Sequence, residues 1–186
     1  MKNIKFVKNT IKKECEDLGN VEDWFYRDHL LTVEKFAKEL LRKLPAADEE
    51  ILMLSVWLHD IQRVRGIKGD HAAAGAEEAS RFLAELGYDK KIITAVKENI
   101  ESHRCNSDDK MPSTIEGKIL ASADAMSHFV NDFYLDIATT SGKSTKQFKK
   151  WALEKIDRDY NKKIFFDFAK KMVEKQHDII LRFLEL

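Results

Sequence analysis

The sequence predicts an all-α protein that folds as a single-domain helical bundle. Only two prolines and seven glycines interrupt its 186 residues, so turn signals are few for a chain of this length. Apolar residues recur at helical spacing along nearly the whole chain, whereas alternation with a period of two is almost absent. A chain of this size buries roughly 70% of its unfolded surface on folding, which is enough for a core without disulfide bonds.

Individual helices can be placed from the apolar spacing and from the residues that end or cap a helix. In chain order, the predicted helices cover residues 4–18, 21–44, 51–62, 71–86, 89–103 and 114–138. Pro45 ends the second helix, and Asp48 and Asp70 are positioned to cap the helices that follow them. Residues 143–186 are predicted to be helical again, with a break near 159–161. We therefore expect one domain over 1–186, in which 143–186 complete the bundle.

Composition and charge argue against several classes of protein. The 32 lysine and arginine residues balance 32 aspartate and glutamate residues, so there is no net field to attract long nucleic acid or an anionic membrane. No stretch approaches the ~20 apolar residues that span a bilayer, and the first ten residues lack the apolar segment of a signal peptide. Cys15 and Cys105 are isolated, which fits a reducing compartment. These features predict a cytoplasmic protein.

A histidine followed directly by an aspartate ends the most apolar predicted helix. These residues are His59 and Asp60. Buried imidazole and carboxylate groups need partners, and a shared metal ion satisfies both. A single His–Asp pair often occurs by chance, so the prediction of a metal site depends on further candidate ligands. His29 lies on the preceding helix, and Asp124 lies within a later helix among small and apolar residues, where an unpaired carboxylate is unfavourable.

Three short segments place further polar residues beside this set. His71 opens a helix in the segment DHAAAGAE (70–77), His103 closes the next in IESHR (100–104), and Lys118 lies in TIEGKIL (114–120). His128 shares a helix face with Asp124 but is interpreted as structural. For three arginines, phosphate binding and simple surface exposure are equally good interpretations: Arg63, Arg65 and Arg104.

The ordered set of His29, His59–Asp60 and Asp124 resembles the HD-domain superfamily of metal-dependent phosphohydrolases. The three segments above resemble its small stand-alone branch, and the similarity covers about 23–130. The resemblance implies an HD-type bundle with the metal held by His29, His59, Asp60 and Asp124. Two imidazoles and two carboxylates suit Mn, Fe, Co, Ni, Zn or Mg, and we expect one ion rather than two.

The resemblance also implies hydrolysis of a phosphate ester or anhydride by a metal-activated water. The predicted catalytic residues are Asp60, His71, His103 and Lys118. In two-metal members, histidines matching His71 and His103 bind a second ion that Asp60 bridges. In one-metal members they face the substrate phosphate or the attacking water. The second role is favoured here because no further carboxylate stands obviously beside them.

Departures from the family pattern affect the surroundings of the site. Relatives often carry arginine where this chain has Thr32, aspartate where it has Ser122, and a basic residue where it has Ala125. These differences leave the metal ligands in place but alter how a phosphate would be held.

The predicted function is therefore a phosphohydrolase that acts on a small phosphorylated metabolite, with a nucleotide as the favoured class. The alternatives are a non-catalytic module that senses metal and nucleotide, and a di-iron oxygenase that uses His71 and His103 as iron ligands. The helices after Ser141 could pack in a homodimer.

Overall fold

The computed structural model of the protein describes residues 4–107 and 110–185, apart from the side chain of His71. Within these residues the regular structure is helical and includes no β-strand, which confirms the predicted all-α class. The first half comprises α1 (Ile4–Leu18), a π-helical turn (Phe25–Leu30) that continues into α2 (Leu31–Lys43), α3 (Glu49–Leu58) and α4 (Ile61–Val64). The second half comprises α5 (His71–Glu85), α6 (Lys90–Ser102), α7 (Ile115–Val130), α8 (Phe133–Thr140), α9 (Thr145–Asp157), a π-helical turn (Arg158–Lys163) and α10 (Asp167–Glu185).

Both predicted aspartate caps are present. Asp48 accepts a hydrogen bond from the backbone N–H of Ile51, and Asp70 accepts one from Ala73, at the starts of α3 and α5. Each carboxylate satisfies a helix N–H group that has no partner within the helix. Glu116 accepts a hydrogen bond from the backbone N–H of Asp48 at 2.7 Å and therefore supports the start of α3 as well.

Two predicted helices are interrupted in the structure. The helix predicted over 51–62 ends at Leu58, because Asp60 leaves helical geometry with φ −112° and ψ 18°, and α4 begins after it. The helix predicted over 114–138 ends at Val130, because Asn131 adopts an extended conformation. The Asn131 side chain is held there by the carbonyl of Asp28 and the hydroxyl of Thr32.

The core consists of two clusters of buried apolar side chains that meet at α3. One cluster joins α2, α3, α7, α9 and α10, and the other joins α1, α3, α5 and α6. Met53 and Val56 of α3 belong to the first cluster, and Leu54 and Trp57 to the second. Because α3 is apolar nearly all round, it can pack in the centre of the bundle. α7 is its central counterpart and is buried throughout 119–129.

An apolar groove lies on the surface between α8 and α10. It has a volume of about 800 Å³ and includes Leu135, Ile179 and Phe183, which are exposed side chains. The homodimer suggested by the sequence stays a prediction. None of the helices in the described part of the chain is long and apolar enough to cross a lipid bilayer.

Candidate metal centre and the cavity above it

The imidazoles of His29 and His59 meet inside the bundle. His29 lies near the end of the first π-helical turn, and His59 directly follows α3. Their Nε2 atoms are 3.3 Å apart, and both residues are buried. The structure thus brings together two predicted metal ligands that are 30 residues apart in the sequence.

Hydrogen bonds on the opposite ring nitrogens determine how these imidazoles are protonated. Nδ1 of His59 lies 2.8 Å from the carbonyl oxygen of Val56, which can only accept, so this nitrogen carries the proton. The hydroxyl of Ser127 donates to the carbonyl of Asp124, so its oxygen accepts from Nδ1 of His29 at 3.2 Å. Both Nε2 atoms therefore present lone pairs to the same small space. A buried pair of facing acceptors is unfavourable unless a cation or a shared proton lies between them.

Two carboxylates complete the cluster. Oδ2 of Asp60 lies 3.3 Å from Nε2 of His29 and 3.7 Å from Nε2 of His59. Oδ1 of Asp124 lies 3.6 and 3.9 Å from the same two nitrogens. Donor atoms of His29, His59 and Asp124 all lie within 4.8 Å of one another. The break in helical geometry at Asp60 allows two consecutive residues to reach one point. This mixed nitrogen and oxygen set fits a divalent cation.

A lysine outside the predicted set holds one of these carboxylates. Nζ of Lys163 donates a hydrogen bond to Oδ2 of Asp124. Burial alone would raise the pKa of Asp124, but Lys163 and the nearby histidines outweigh it and hold this pKa well below its usual range. Burial also opposes the charged form of Lys163, yet Asp124 and Asp159 raise the pKa of this lysine. Asp124 is therefore ionised and its Oδ1 atom faces the imidazoles.

His103 is the fifth predicted residue that the structure brings to this place. Its ring packs edge-to-face against the ring of His59, with centroids 5.3 Å apart. Nδ1 of His103 donates to the carbonyl of Ile100 at 2.5 Å, which leaves the lone pair on Nε2. Burial, followed by the influence of His59, lowers the pKa of His103 to about 3. This imidazole is therefore neutral near pH 7.

The other predicted residues have different positions. His71 begins α5, but its side chain lies outside the described part of the structure. Lys118 precedes Asp124 on α7 by six residues, about 9 Å, and is not part of the described cavity wall. Arg65 forms hydrogen bonds of 2.5 to 2.9 Å with Glu14 and Glu78, so it is a structural residue.

A cavity of about 360 Å³ opens above the metal-ligand cluster, within the size range of small-molecule sites. Its wall includes three aromatic side chains, Trp24, Phe133 and Trp151. It also includes five cationic side chains: Arg63, Arg104, Lys155, Arg158 and Lys163. Such a wall favours an anionic ligand that also carries a flat or apolar group.

A buried polar cluster from the C-terminal part of the chain lies against the metal site. Nδ1 of His128 lies 2.8 Å from Oδ2 of Asp159, and Lys155 donates to the same oxygen at 2.7 Å. Burial alone would raise the pKa of Asp159, but Lys155 and His128 lower it. The His128 ring is parallel to that of His29, and its Nε2 lies 3.5 Å from Oδ1 of Asp124. His128, interpreted from the sequence as structural, therefore also lines the cavity.

The residues that depart from the family pattern have structural roles. The Ser122 hydroxyl lies 3.2 Å from the carbonyl of Lys163 and accepts a hydrogen bond from the backbone N–H of Phe165 at 3.0 Å. It thereby fastens the turn after α9 to α7. Thr32 accepts from Asn131 at 2.9 Å, and Ala125 is part of the core.

Comparison with known proteins agrees with this fold. The model of the HD domain family matches residues 26–128, and the chain belongs to this family. Over 110 residues the chain is 32% identical to an uncharacterized protein of Methanocaldococcus jannaschii, an alignment that covers 52% of this chain and 63% of that protein. Over 114 residues it is 32% identical to the tRNA (cytidine(56)-2'-O)-methyltransferase of Picrophilus torridus, covering 56% of this chain and 32% of that protein. The match thus spans less than two thirds of the length of either relative.

A solved structure resembles the whole helical arrangement. It is the crystal structure of a predicted HD superfamily hydrolase from an uncultured Thermotogales bacterium, with a TM-score of 0.64 and 24% sequence identity. The similarity covers 97% of this chain and 88% of that one. The HD-type fold predicted from the sequence is therefore confirmed, and the similarity extends beyond the residues that match the family model.

Proposed function

We propose that the protein is a metal-dependent phosphohydrolase of the HD family that acts on a small phosphorylated metabolite. The observation that carries this proposal is the convergence of His29, His59, Asp60 and Asp124 beneath a cavity lined by cationic side chains. Metal ligands and a site for an anion are the two requirements of metal-assisted phosphate hydrolysis.

The four ligand side chains would hold one divalent ion, for which Mn, Fe, Co, Ni, Zn and Mg are candidates. The fit rests on the two Nε2 lone pairs that face each other at 3.3 Å with ionised Asp124 beside them. When bound, such an ion acidifies a water molecule and polarises a phosphoryl oxygen. One oxygen of the Asp124 carboxylate, Oδ1, faces this site, and the other, Oδ2, accepts a hydrogen bond from Lys163.

The protein's own groups would bind the substrate and orient water. His103, neutral and with its lone pair on Nε2, can accept a hydrogen bond from a water molecule in the cavity and thereby orient it. Arg63, Arg104 and Arg158 offer the forked donors that suit phosphate oxygens. Roles for His71 and Lys118 remain predictions from the family resemblance.

A nucleotide is the favoured class of substrate. Trp24, Phe133 and Trp151 lie on the same cavity wall as the arginines and offer apolar ring surfaces to a base. Phe133 and Trp151 have centroids 6.5 Å apart with tilted planes, so they form part of one aromatic group. This arrangement supports a ligand with a planar group and a phosphate.

The proposal is tested by elemental analysis of the protein beside its His59→Ala, Asp60→Ala double variant. Hydrolysis is assayed with nucleotides and phosphate monoesters in the presence of Mn, Mg, Co or Ni. We expect about one ion per chain and turnover in the wild type, with both lost in the double variant. His177→Gln, an imidazole outside the cavity wall, serves as the control and should keep both.

Other outcomes would point to other functions. A bound metal without turnover of any substrate, but with thermal stabilisation by a nucleotide, would reject hydrolysis and favour a sensor. Two iron ions per chain after anaerobic loading, with oxygen-dependent oxidation, would favour the oxygenase alternative. The absence of metal from both proteins would reject the metal centre itself.

A further inference from the structure

Three arginines on the cavity wall have guanidinium groups that no carboxylate in the described part of the chain holds by a hydrogen bond, although that of Arg63 also lies over the Phe25 ring at 4.8 Å from its centroid. Arg63, Arg104 and Arg158 have side chains that are 36%, 36% and 38% exposed. Each lies 3.8 Å from one carboxylate, which is too long for a hydrogen bond: Asp60, Asp70 and Asp159, respectively. Among the described residues, Nε of Arg158 has no hydrogen-bond partner.

Arg65 provides a comparison within the same protein, because its guanidinium group is engaged in contacts of the fold. Its side chain is 17% exposed, and its guanidinium makes hydrogen bonds to Glu14 and Glu78 at 2.5 to 2.9 Å. Its donors are thus largely used within the fold. The three cavity arginines retain donors, and all three line the same cavity as His29, Asp60 and Asp124.

The two lysines of the cavity are already bound to carboxylates. Lys155 donates to Asp159 and Lys163 donates to Asp124, and these lysine side chains are 10% and 4% exposed. Each ammonium is fixed by a hydrogen-bonded ion pair that offsets its charge, and its remaining N–H donors are oriented by that pair. The three arginines, which no hydrogen-bonded ion pair holds within the described residues, therefore offer the more adaptable donors for an anion in the cavity.

The charge of the cavity exceeds what one phosphate group balances. Five cationic side chains line it, against the carboxylates of Asp60 and Asp124 in the wall, that of Asp159 behind Lys155 and that of Asp70 beside Arg104. A divalent ion at the proposed metal centre would add two positive charges. A phosphate monoester carries roughly two negative charges near neutral pH, so a positive surplus remains.

We propose that Arg63, Arg104 and Arg158 form a second anion subsite, so that favoured substrates carry at least two linked phosphate groups. This inference rests on the proposed function, because the first phosphate is placed at the metal centre. The second phosphate lies against the arginines, where planar guanidinium groups can each bind two oxygens. Arg158 follows α9, so a residue outside the family match, 26–128, contributes to substrate choice.

Isothermal titration calorimetry with orthophosphate, pyrophosphate and tripolyphosphate tests the subsite. It is performed on metal-free protein and on protein loaded with one equivalent of Mn²⁺ and freed of excess ion. The variants are Arg63→Gln, Arg104→Gln and Arg158→Gln, with Arg42→Gln as a control that is exposed and outside the cavity wall. Circular dichroism shows which variants are folded. Because three single variants are made, the test can still be completed if one of them does not fold.

We expect pyrophosphate to bind the wild type at least about tenfold more tightly than orthophosphate, since it reaches two subsites. Each cavity variant should lose about tenfold in pyrophosphate affinity and less than about threefold in orthophosphate affinity. Arg42→Gln should match the wild type. Equal affinities of the wild type for the two anions, or cavity variants that keep the preference for pyrophosphate, would overturn the inference.

Failure of this inference can be told apart from failure of the proposed function. Metal binding and hydrolysis of monoesters without a preference for pyrophosphate would support the proposed function and reject the second anion subsite. A pyrophosphate preference that depends on the arginines, in a protein that hydrolyses none of the substrates tested, would support the subsite and reject the proposed function.

Discussion

Lys163 donates a hydrogen bond to one oxygen of Asp124, while the other oxygen of this carboxylate faces Nε2 of His29 at 3.6 Å. The two residues are 39 positions apart, and both are buried. The lysine therefore fixes which oxygen of Asp124 is directed to the two imidazoles of the candidate metal centre, and it compensates the buried charge of this carboxylate.

Replacement of Lys163 by methionine should destabilise the metal-free protein strongly. The substitution leaves the carboxylate of Asp124 buried without its main counter-charge, and loss of one partner of a buried ion pair costs about 3–5 kcal/mol. Urea denaturation at pH 7 in the presence of a chelator measures this loss. Lys162→Met is the matched control, because Lys162 is exposed, and its free energy of unfolding should change by less than about 0.5 kcal/mol.

Stability of the metal-free protein should fall between pH 6.5 and pH 4. Burial lowers the pKa of His128 to about 4 and that of His103 to about 3. The unfolded chain binds protons at these histidines near pH 6.5, whereas the folded protein does so only at lower pH. Their contribution is thus fully present above pH 6.5 and is lost as the pH falls, by about 1.4 kcal/mol per pH unit for each histidine.

Denaturation curves recorded at several pH values test this dependence. His128→Gln should reduce the slope of unfolding free energy against pH by the contribution of about one proton. A stability that stays constant from pH 7 to pH 5, or a slope that is unchanged in this variant, would contradict the expectation.

Replacement of Ser122 by alanine should loosen the turn that carries Lys163. The hydroxyl accepts from the N–H of Phe165, so its removal leaves a backbone donor without that partner. We expect a loss of about 1–2 kcal/mol in unfolding free energy. Ser102→Ala is the comparison, since the Ser102 hydroxyl bonds only to carbonyls of its own helix among the described residues, and should lose less.

Replacement of Arg65 by methionine should lower the free energy of unfolding without weakening the binding of metal or phosphate. Its hydrogen bonds to Glu14 and Glu78 tie α1 and α5 to the end of α4, and their removal should cost about 1–3 kcal/mol. Metal content and phosphate affinity should be unchanged, because Arg65 does not line the cavity. A fall in either quantity in folded protein would show that this arginine also serves the site.

The four candidate metal ligands could be proposed from the sequence because each lies in a recognisable local context. His59–Asp60 ends a strongly apolar helix, and Asp124 lies among small and apolar residues. Helix limits were predicted best where the signals are local, as for α1, whose predicted bounds of 4–18 are those observed. The burial of α3 on all sides also followed from its composition.

The break at Asp60 could not be predicted, because apolar spacing continues through Ile61. The role of Lys163 was missed for another reason. Lys162 and Lys163 are adjacent and look alike, yet one is exposed and the other binds a carboxylate 39 positions away. One signal was available, since Lys155, Asp159 and Lys163 are spaced by four residues and thus share a helix face.

The hydrogen bonds that join Lys163 and Phe165 to the Ser122 hydroxyl have a consequence for how the molecule folds. The family match ends at residue 128, but the apolar cluster around α7 continues through Ala152, Ile156, Ala169 and Val173. A fragment that stops at residue 128 would expose that cluster and leave Asp124 without its lysine. We therefore expect the unit that unfolds cooperatively to extend beyond the residues that match the family model, because Asp124 lies within the match and the lysine that holds it lies outside.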